Sequence, residues 1–457
     1  MAKDLTKGNP IKLIITFMLP VLLGNIVQQF YSMADAIIVG QTISTQALGG
    51  VGATGHFVFF IIGFSAGITA GMTVITSQCF GAGDREGVKR SVASSFVLTG
   101  ILAVALTAIA VPITKPVLRL LDTPETLMPY SYAYLVVTFA GLSGTLFYNL
   151  LACLLRAIGD SKVPLFFLIV SSVLNIGLDL FFILVFKWGV TGAALATVLS
   201  QIISALCCLI YMLKKYEILR FNRSHLKGAT ALMLKKLRLG LPLGFGNSLC
   251  AIGLMVQQTL INGFGEVAVS SISGAYKIDN IFIQANSAFG LAFVTYAGQN
   301  VGACKWSRVR KGIGAGLIIA PVMAIIEIAI VVPFLKPLMS LFIPSPSDEV
   351  MYYARNYMFI QVFTYVIQLV FFMLRNVLQG AGKSTVPMIM GVAETACRCV
   401  SVLAFSSFLG FTAVSVSNPF AWTIALIMGV IAVAVELKGK KDVEIKNDAE
   451  INESTAD

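Results

Sequence analysis

Residues 163–186 form an uninterrupted apolar run of 24 residues between Lys162 and Lys187, and the only ionisable side chain in the run is Asp179. At a rise of about 1.5 Å per residue, a helix of this length spans the hydrocarbon core of a bilayer, which is about 30 Å thick. A carboxylate exposed to lipid there costs about 3 kcal/mol or more. Asp179 is therefore predicted to face other helices or water, together with Asn175 one helical turn before it.

The composition extends this prediction to the whole chain. Of its 457 residues, 57% are hydrophobic and 12% are charged, whereas about 25% are charged in soluble domains. The sequence therefore predicts an all-α polytopic membrane protein. The first apolar run follows the N-terminus without a small-residue cleavage site, so we expect it to remain as a membrane span. The eight cysteines show no CxxC or Cys/His spacing, so they are interpreted as packing residues and no metal site is expected.

Apolar runs and the turns between them predict twelve transmembrane helices. Their predicted bounds are 12–40, 48–80, 91–114, 128–154, 163–186, 190–213, 240–264, 269–301, 312–343, 351–379, 385–408 and 412–436. Of the 33 lysines and arginines, 25 lie in the termini or on alternate connections. By the positive-inside rule, both termini are predicted to be cytoplasmic. The net charge of +11 then needs no nucleic-acid partner.

The chain contains an internal duplication. Three landmarks recur at separations of 222, 221 and 223 residues: Leu19-Pro20 with Leu241-Pro242, Gln78-Cys-Phe-Gly81 with Gln299-Asn-Val-Gly302, and Gly159-Asp-Ser-Lys-Val-Pro164 with Gly382-Lys-Ser-Thr-Val-Pro387. The predicted domains are an N-terminal six-helix lobe (1–213), a basic cytoplasmic linker (214–238), a C-terminal six-helix lobe (239–437) and a cytoplasmic tail (438–457). Because each copy has an even number of spans, the two should be related by an axis along the membrane normal, as in alternating-access transporters.

Three stretches resemble a known transporter family. They are Asp35-Ala-Ile-Ile-Val39-Gly40, Arg156-Ala-Ile-Gly159-Asp160 and Asn175-Ile-Gly-Leu-Asp179. With the duplicated layout, the chain resembles the multidrug and toxic compound extrusion (MATE) transporters over residues 10–435, and most closely their bacterial multidrug efflux branch. The resemblance implies a secondary active antiporter of the bacterial inner membrane, with a V-shaped pair of lobes, that exchanges small organic, often cationic, molecules for H⁺ or Na⁺. It also implies a monomer in the lipid bilayer that needs no cofactor.

The resemblance further implies a cation site in the N-terminal lobe, formed by Asp35, Asn149, Asn175, Asp179 and Thr197. Asn149 lies only about 10 Å along its helix from Arg156, so its membership requires span 4 to extend well into the cytoplasm. In the C-terminal lobe, Gln368 stands where some relatives carry an acid, and the seventh span has no acid. The resemblance therefore leaves open whether that lobe binds a second ion.

Charge and depth support the N-terminal site on their own terms. Between Leu13 and Gly83, Asp35 is the only side chain charged at neutral pH. Counted at about 1.5 Å per residue from the inner ends of their spans, Asp35, Asp179 and Thr197 fall in the outer half of the membrane. Two carboxylates in one dry pocket favour a shared proton, and neutral oxygens beside them equally suit Na⁺. We therefore expect cation binding to bend or repack span 1 at Pro20, so that ion and drug exclude one another.

Two further groups of side chains are candidates for lesser roles. An apolar substrate pocket could be lined by Phe30, Tyr31, Phe147, Tyr148 and Met255. Charged residues within the spans of the C-terminal lobe are expected to neutralise one another, with a role in coupling as the alternative; they are Lys277, Asp279, Arg375, Glu394 and Arg398. Small residues from Gly63 to Gly71 are expected to let helices approach closely.

Three other functions compete with this interpretation. A major facilitator transporter has the same number of spans and a similar loop at Gly81–Arg90, but the acids of spans 1 and 5 argue against it. A lipid-linked precursor flippase of the related superfamily would need several basic residues in its cleft, and the inner spans of the first lobe have none. An intramembrane enzyme is the third alternative; no HExxH motif occurs in the sequence, and no catalytic residue is assigned.

Overall fold

A computed structural model describes residues 3–443 of the protein. Within this range the chain is all-α, as the sequence predicts, with no β-strand. The α-helices are α1 (Pro10–Thr42), α2 (Thr45–Ala53), α3 (Gly55–Gly81), α4 (Arg85–Leu120), α5 (Met128–Ala140), α6 (Leu142–Ala157), α7 (Lys162–Leu180), α8 (Gly189–Lys215), α9 (Thr230–Asn262), α10 (Glu266–Gly302), α11 (Trp306–Ser340), α12 (Asp348–Gly380), α13 (Thr385–Leu409) and α14 (Thr412–Leu437). Residues 444–457 of the predicted tail lie outside the described residues.

Eleven of these helices are long and apolar enough to cross a membrane, and the pair α5 and α6, bent by 51°, makes a twelfth span when it is counted as one. The bend in span 4 was not predicted, and it lies at Gly141. A Cβ at this position would lie 2.3 Å from a methyl carbon of Val198 on α8, so the backbone passes close to that helix here. The predicted second span is also divided, because α2 ends at Ala53 and α3 begins at Gly55.

The basic segment between the two repeats is more helical than predicted. α9 begins at Thr230, ten residues before the predicted start of span 7. The side chain of Lys236 is fully buried there, and its ammonium donates to the carbonyl of Ser91 and, at 2.5 Å, to Oγ of Ser95. Lysine and leucine both favour helix. The many charged residues of this segment are nevertheless typical of a solvated connector, so the sequence did not indicate that α9 begins within it.

The chain divides into two compact units. Of the described residues, unit 1 comprises 3–4, Leu23–Phe80 and Asp84–Gly244, and unit 2 comprises Leu5–Leu22, Gly81–Gly83 and 245–443. Both α1 and α9 run through both units. In each of these helices the boundary between the units lies two residues after a proline, which is Pro20 in α1 and Pro242 in α9. A proline inside a helix removes a backbone hydrogen bond, so each change of unit lies beside a weakened turn.

Each unit has a core of its own and an apolar exterior. Unit 2 is built on one large cluster that includes Phe17 of α1, Phe289 of α10 and Tyr365 of α12, while unit 1 has several smaller clusters. Large hydrophobic side chains also lie on the outside, such as Val104 at 72% exposure and Val435 at 70%. Extensive exposed apolar surface on long helices is expected where protein meets lipid. The chain is a multi-pass membrane protein.

The turn after α6 is held by Asp160. Gly159 has a φ of +84°, and a Cβ there would lie 2.1 Å from the carbonyl oxygen of Lys3, so the position requires glycine. The Asp160 carboxylate accepts the backbone N–H of Val163 at 3.2 Å and the hydroxyl of Tyr216. Burial raises the pKa of Asp160, but interactions that include the hydrogen bonds from Tyr216 and Val163 outweigh burial and hold this pKa below its usual range.

We expect Tyr216→Phe to lower the free energy of unfolding by about 1.5–3 kcal/mol at neutral pH, because the lost hydrogen bond has a charged acceptor. A carboxyl group whose pKa is depressed in the folded state stabilises the fold above its unfolded-state pKa, and this contribution is lost as the pH falls. The difference between wild type and Tyr216→Phe should therefore shrink below about pH 4. Thermal unfolding in detergent measures this difference in stability, and Tyr132→Phe at an exposed tyrosine is the control. A difference that persists unchanged in acid would show that Tyr216 does not stabilise an ionised Asp160.

Candidate functional site

Two helices of unit 1 bring the predicted acids together. α7 buries a stripe of side chains at four-residue spacing: Phe167, Ser171, Asn175 and Asp179. Asp179 is fully buried, so it faces protein rather than lipid. Asp35 lies two turns before the end of α1. The carboxyl groups of Asp35 and Asp179 are close enough to share a hydrogen bond.

The helix geometry of span 5 changes directly after Asp179. Residues Phe181–Val185 form a π-helical turn that continues α7 within the same span. Turns of this type are rare, and they occur frequently at functional sites. The acid of span 5 is therefore followed at once by a local departure from regular α-helix.

An amide and two hydroxyl groups lie beside the acids. Asn175 Nδ2 donates to Thr197 Oγ1 of α8 at 3.3 Å, and the hydroxyl of Tyr31 on α1 donates to the same oxygen at 3.3 Å. Tyr31 is also within electrostatic range of both acids. Thr197 thus links α1, α7 and α8. We call this group of residues the acid cluster: Tyr31, Asp35, Asn175, Asp179 and Thr197.

Several oxygens of the acid cluster receive no hydrogen bond. Among the described residues, four of its buried oxygens have no hydrogen-bond partner: Asp35 Oδ1, Asn175 Oδ1, Asp179 Oδ1 and Asp179 Oδ2. A buried polar atom without a partner costs about 1–3 kcal/mol, and more when it is charged. A proton on one carboxyl group would donate to the other, and a small hard cation would be ligated by several of these oxygens. The cluster can therefore hold H⁺ or a cation such as Na⁺.

Tyr134 of α5 belongs beside this cluster, although the sequence interpretation omitted it. It lies within electrostatic range of Asp35, Tyr31 and Asp179. The depth of Tyr134 along span 4 could have indicated that it lies near the acids. Tyr134 precedes Arg156 by 22 residues, which corresponds to about 33 Å at the helical rise, close to the depth of about 35 Å that the same count gives for Asp35.

Asn149 is half-buried on α6, and within residues 3–443 it makes no side-chain hydrogen bond to the acid cluster. The membership of Asn149 in the cation site stays a prediction. The neighbours of Asn149 belong to a different part of the core. Phe147 packs against Phe96 with ring centroids 6.0 Å apart, and the Tyr148 hydroxyl donates to the carbonyl of Pro164 at 3.1 Å.

The other residues predicted for the substrate pocket and hinge have varied surroundings. Phe30 is 64% exposed, whereas Tyr31 belongs to the acid cluster. Met255 lies in unit 2, half-buried on α9. Pro20 lies inside α1, whose helix continues on both sides of it. A pocket role for these side chains and a hinge role for Pro20 stay predictions.

Charged residues in the second repeat are neutralised in different ways. Glu394 and Arg398 form a buried ion pair at 2.6 Å, as the sequence predicts from their spacing. Asp279 does not pair with a cation in the described structure. It accepts hydrogen bonds from the hydroxyl of Tyr357 at 2.7 Å and from that of Tyr365. The sequence did not indicate these tyrosines, because they lie in a helix remote along the chain.

The remaining two predicted charges of this repeat make other contacts. The ammonium of Lys277 lies 5.2 Å from the ring centroid of Phe342 on an exposed face of α10. Arg375 donates to Asn247 Oδ1 at 3.2 Å. Neither contact is the ion pair that the sequence interpretation expected. Within the described range, no three His, Cys, Asp or Glu side chains form a group that could hold a metal ion.

Comparison with known proteins identifies the family. The MatE family model matches the chain twice, over residues 20–181 and 242–403. The chain belongs to the MATE family. The two matches begin at Pro20 and Pro242, the prolines that mark the start of each repeat. Family membership confirms the resemblance drawn from the sequence and excludes the major facilitator alternative.

Relatives of this MATE protein are named for multidrug resistance. "Probable multidrug resistance protein YpnP" of Bacillus subtilis is 31% identical over 412 residues, which cover 90% of this chain and 91% of that protein. "Probable multidrug resistance protein YoeA" of the same organism is 28% identical over 358 residues, which cover 77% of each. A solved MOP superfamily transporter from Pyrococcus furiosus has a similar fold, with a TM-score of 0.89 at 24% identity over 96% of this chain and 98% of that one.

Proposed function

We propose that this MATE protein is a secondary active antiporter that exports small organic cations in exchange for H⁺ or Na⁺ bound in the acid cluster. The proposal is carried by the four buried oxygens of Asp35, Asn175 and Asp179 that have no donor. Burying such oxygens is costly unless a proton or a cation joins them. The cluster is therefore satisfied when it is loaded with a cation, and it carries excess negative charge when it is empty.

The surroundings of the acids suit an organic cation. Tyr31 and Tyr134 lie within electrostatic range of Asp35 and Asp179, and aromatic faces attract cations in desolvated sites. The similar proteins named for multidrug resistance support drug-like molecules as substrates. The bacterial origin of these relatives supports the inner membrane as the location. The distribution of basic residues supports cytoplasmic termini. The proposed transporter works as a monomer.

Movement of α1 would couple the ion to the substrate. α1 carries both Tyr31 and Asp35, and it changes from unit 2 to unit 1 two residues after Pro20. A cation shared by Asp35 and Asp179 would tie the outer part of α1 to α7. Release of the cation would free this part of α1 to bend at the weakened turn of Pro20. Ion and drug then exclude one another because each favours a different position of α1.

Ethidium efflux from proteoliposomes tests the proposal. We expect uphill efflux when a pH gradient or a Na⁺ gradient is imposed, and its loss when an ionophore collapses that gradient. The gradient that suffices identifies the coupling ion. Folded protein that moves neither ethidium nor tetraphenylphosphonium under either gradient would contradict the proposal. Movement of a lipid-linked pyrophosphate instead would favour the flippase alternative.

A further inference from the structure

Unit 2 contains a buried acid without a hydrogen-bond donor. Glu327 lies in the middle of α11 and is 5% exposed, and neither carboxylate oxygen has a hydrogen-bond partner among residues 3–443. Its polar neighbour is Asn286 of α10, which is fully buried. Asn286 Nδ2 donates to Gln368 Oε1 of α12 at 2.8 Å, while Asn286 Oδ1 has no partner. Two adjacent side chains thus leave three oxygens without a donor.

Glu327 differs in this respect from the two other buried acids described in unit 2. Asp279 accepts hydrogen bonds from two tyrosine hydroxyls. Glu394 is paired with the guanidinium of Arg398 at 2.6 Å. Both of these acids are therefore provided with partners suited to a carboxylate. Among residues 3–443, Glu327 has no cationic partner and no donor in hydrogen-bonding geometry, although the Asn286 side chain lies beside it, so burying its carboxylate is costly.

The groups that face Glu327 do not supply its missing partner. From α10 the nearby charged group is Asp279, a second acid, and from α12 it is Tyr365, whose hydroxyl already donates to Asp279. Arg398 of α13 lies within electrostatic range of Asp279, but its charge is paired with Glu394. An ionised acid beside Glu327 cannot act as its hydrogen-bond donor.

The fold does not require a polar side chain at this place. Pro112 of α4 recurs as Pro333 of α11, 221 residues later, and a second proline pair four residues further on has the same separation. This alignment places Glu327 at the position of Leu106. Leu106 packs in an apolar cluster of unit 1 that also contains Leu142. The same fold position is therefore filled by a hydrocarbon side chain in one repeat and by an acid in the other.

We propose that Glu327 and Asn286 form a proton-binding site in unit 2, separate from the acid cluster of unit 1. A proton taken from water onto one Glu327 oxygen converts this acceptor into a donor, which bonds Asn286 Oδ1. One proton then satisfies two of the three oxygens and removes the buried charge. No bond other than the O–H bond forms, and the proton returns to water when the site is emptied. The site does not depend on the antiport proposed for unit 1.

The number of free oxygens favours a proton over a metal cation. Gln368 Oε1 already accepts from Asn286, so only three oxygens are open. Ca²⁺ and Mg²⁺ take about six or more oxygen ligands. Three oxygens and one acid are also fewer than the four oxygens and two acids of the acid cluster, so a proton fits this site better than a metal cation.

Infrared spectroscopy of the protonated-carboxyl C=O stretch tests the site directly. The protein should carry Asp35→Asn and Asp179→Asn, so that the acid cluster cannot contribute. We expect a protonated-carboxyl band that is lost on adding Glu327→Gln and retained on adding Glu394→Gln, which replaces the equally buried but ion-paired acid. Absence of the band before Glu327 is changed, or its persistence in Glu327→Gln, would overturn the proposal. Neither result depends on transport, so failure of the antiport proposal is distinguishable.

Thermal unfolding of the same proteins gives a second test. The amide that Glu327→Gln introduces would be a permanent donor, so this variant should unfold at the same temperature as its parent or at a higher one. An ionised Glu327 with a structural role would instead make Glu327→Gln unfold at a lower temperature. That outcome would also overturn the proposal.

Discussion

Asp179→Asn should abolish most gradient-driven export and leave a folded protein. The asparagine has nearly the shape of the acid, and its amide adds donors to a cluster in which four oxygens lack them, so we expect no loss of stability. It carries no negative charge, and it can neither take up a proton at physiological pH nor balance the charge of Na⁺. The factor by which the bound ion lowers the affinity for ethidium, usually about 5–150-fold between two coupled sites, should fall to about 1, and uphill ethidium efflux should be lost with it.

Asp122→Asn is the matched control for this variant, because Asp122 is an exposed acid just after α4. Its efflux should equal that of wild type when both are compared per amount of folded protein. Asn175→Ala should have an intermediate effect, since it removes one neutral oxygen and keeps both acids. Full gradient-driven efflux by Asp179→Asn at a normal level of folded protein would contradict the role of the acid cluster.

Gly67→Val should prevent unit 1 from folding stably. Gly67 and Gly71 of α3 lie against Gly244 and Gly240 of α9, where two GxxxG patterns cross. A Cβ on Gly67 would lie 2.6 Å from Gly244 Cα, and one on Gly71 would lie 2.6 Å from Gly240 Cα. Overpacking costs about 1–3 kcal/mol where side chains can shift. Here backbone atoms would have to move, so we expect a loss above about 3 kcal/mol from a total of about 5–15 kcal/mol.

Gly63→Val on the same helix provides the control, because among the described residues no atom outside the helix backbone lies within 4 Å of the added Cβ. The yield of monodisperse protein and the midpoint of thermal unfolding in detergent measure both variants. Gly63→Val should behave as wild type does, whereas Gly67→Val should give little folded protein. Equal stability of the two variants would show that α3 and α9 do not cross as closely as described.

The parts of the fold that the sequence predicted are those governed by the membrane. Long apolar runs have to be helices, because lipid offers no hydrogen bonds to the backbone. The single acid of span 5 has to be shielded from lipid, and Asp179 is fully buried. The duplication was also readable, since the family model matches residues 20–181 and 242–403 separately.

The parts that the sequence missed depend on contacts between residues remote along the chain. The hydroxyls of Tyr357 and Tyr365 meet Asp279 only because α10 and α12 pack together. The burial of Lys236 against Ser91 also depends on a contact between residues remote along the chain. No local sequence pattern distinguishes Lys236 from the neighbouring lysines of the linker. Such pairings follow from how helices pack, whereas periodicity and composition report only on one helix at a time.

Release of a cation on drug binding tests the central claim most directly. Tetraphenylphosphonium would be added to purified protein in weakly buffered detergent, while a pH indicator and a Na⁺-selective electrode follow the free ions. We predict that the wild-type protein releases H⁺ or Na⁺ as the drug binds, and that a protein carrying both Asp35→Asn and Asp179→Asn releases neither. Drug binding by the wild type without release of either ion, or equal release by the double variant, would contradict the account.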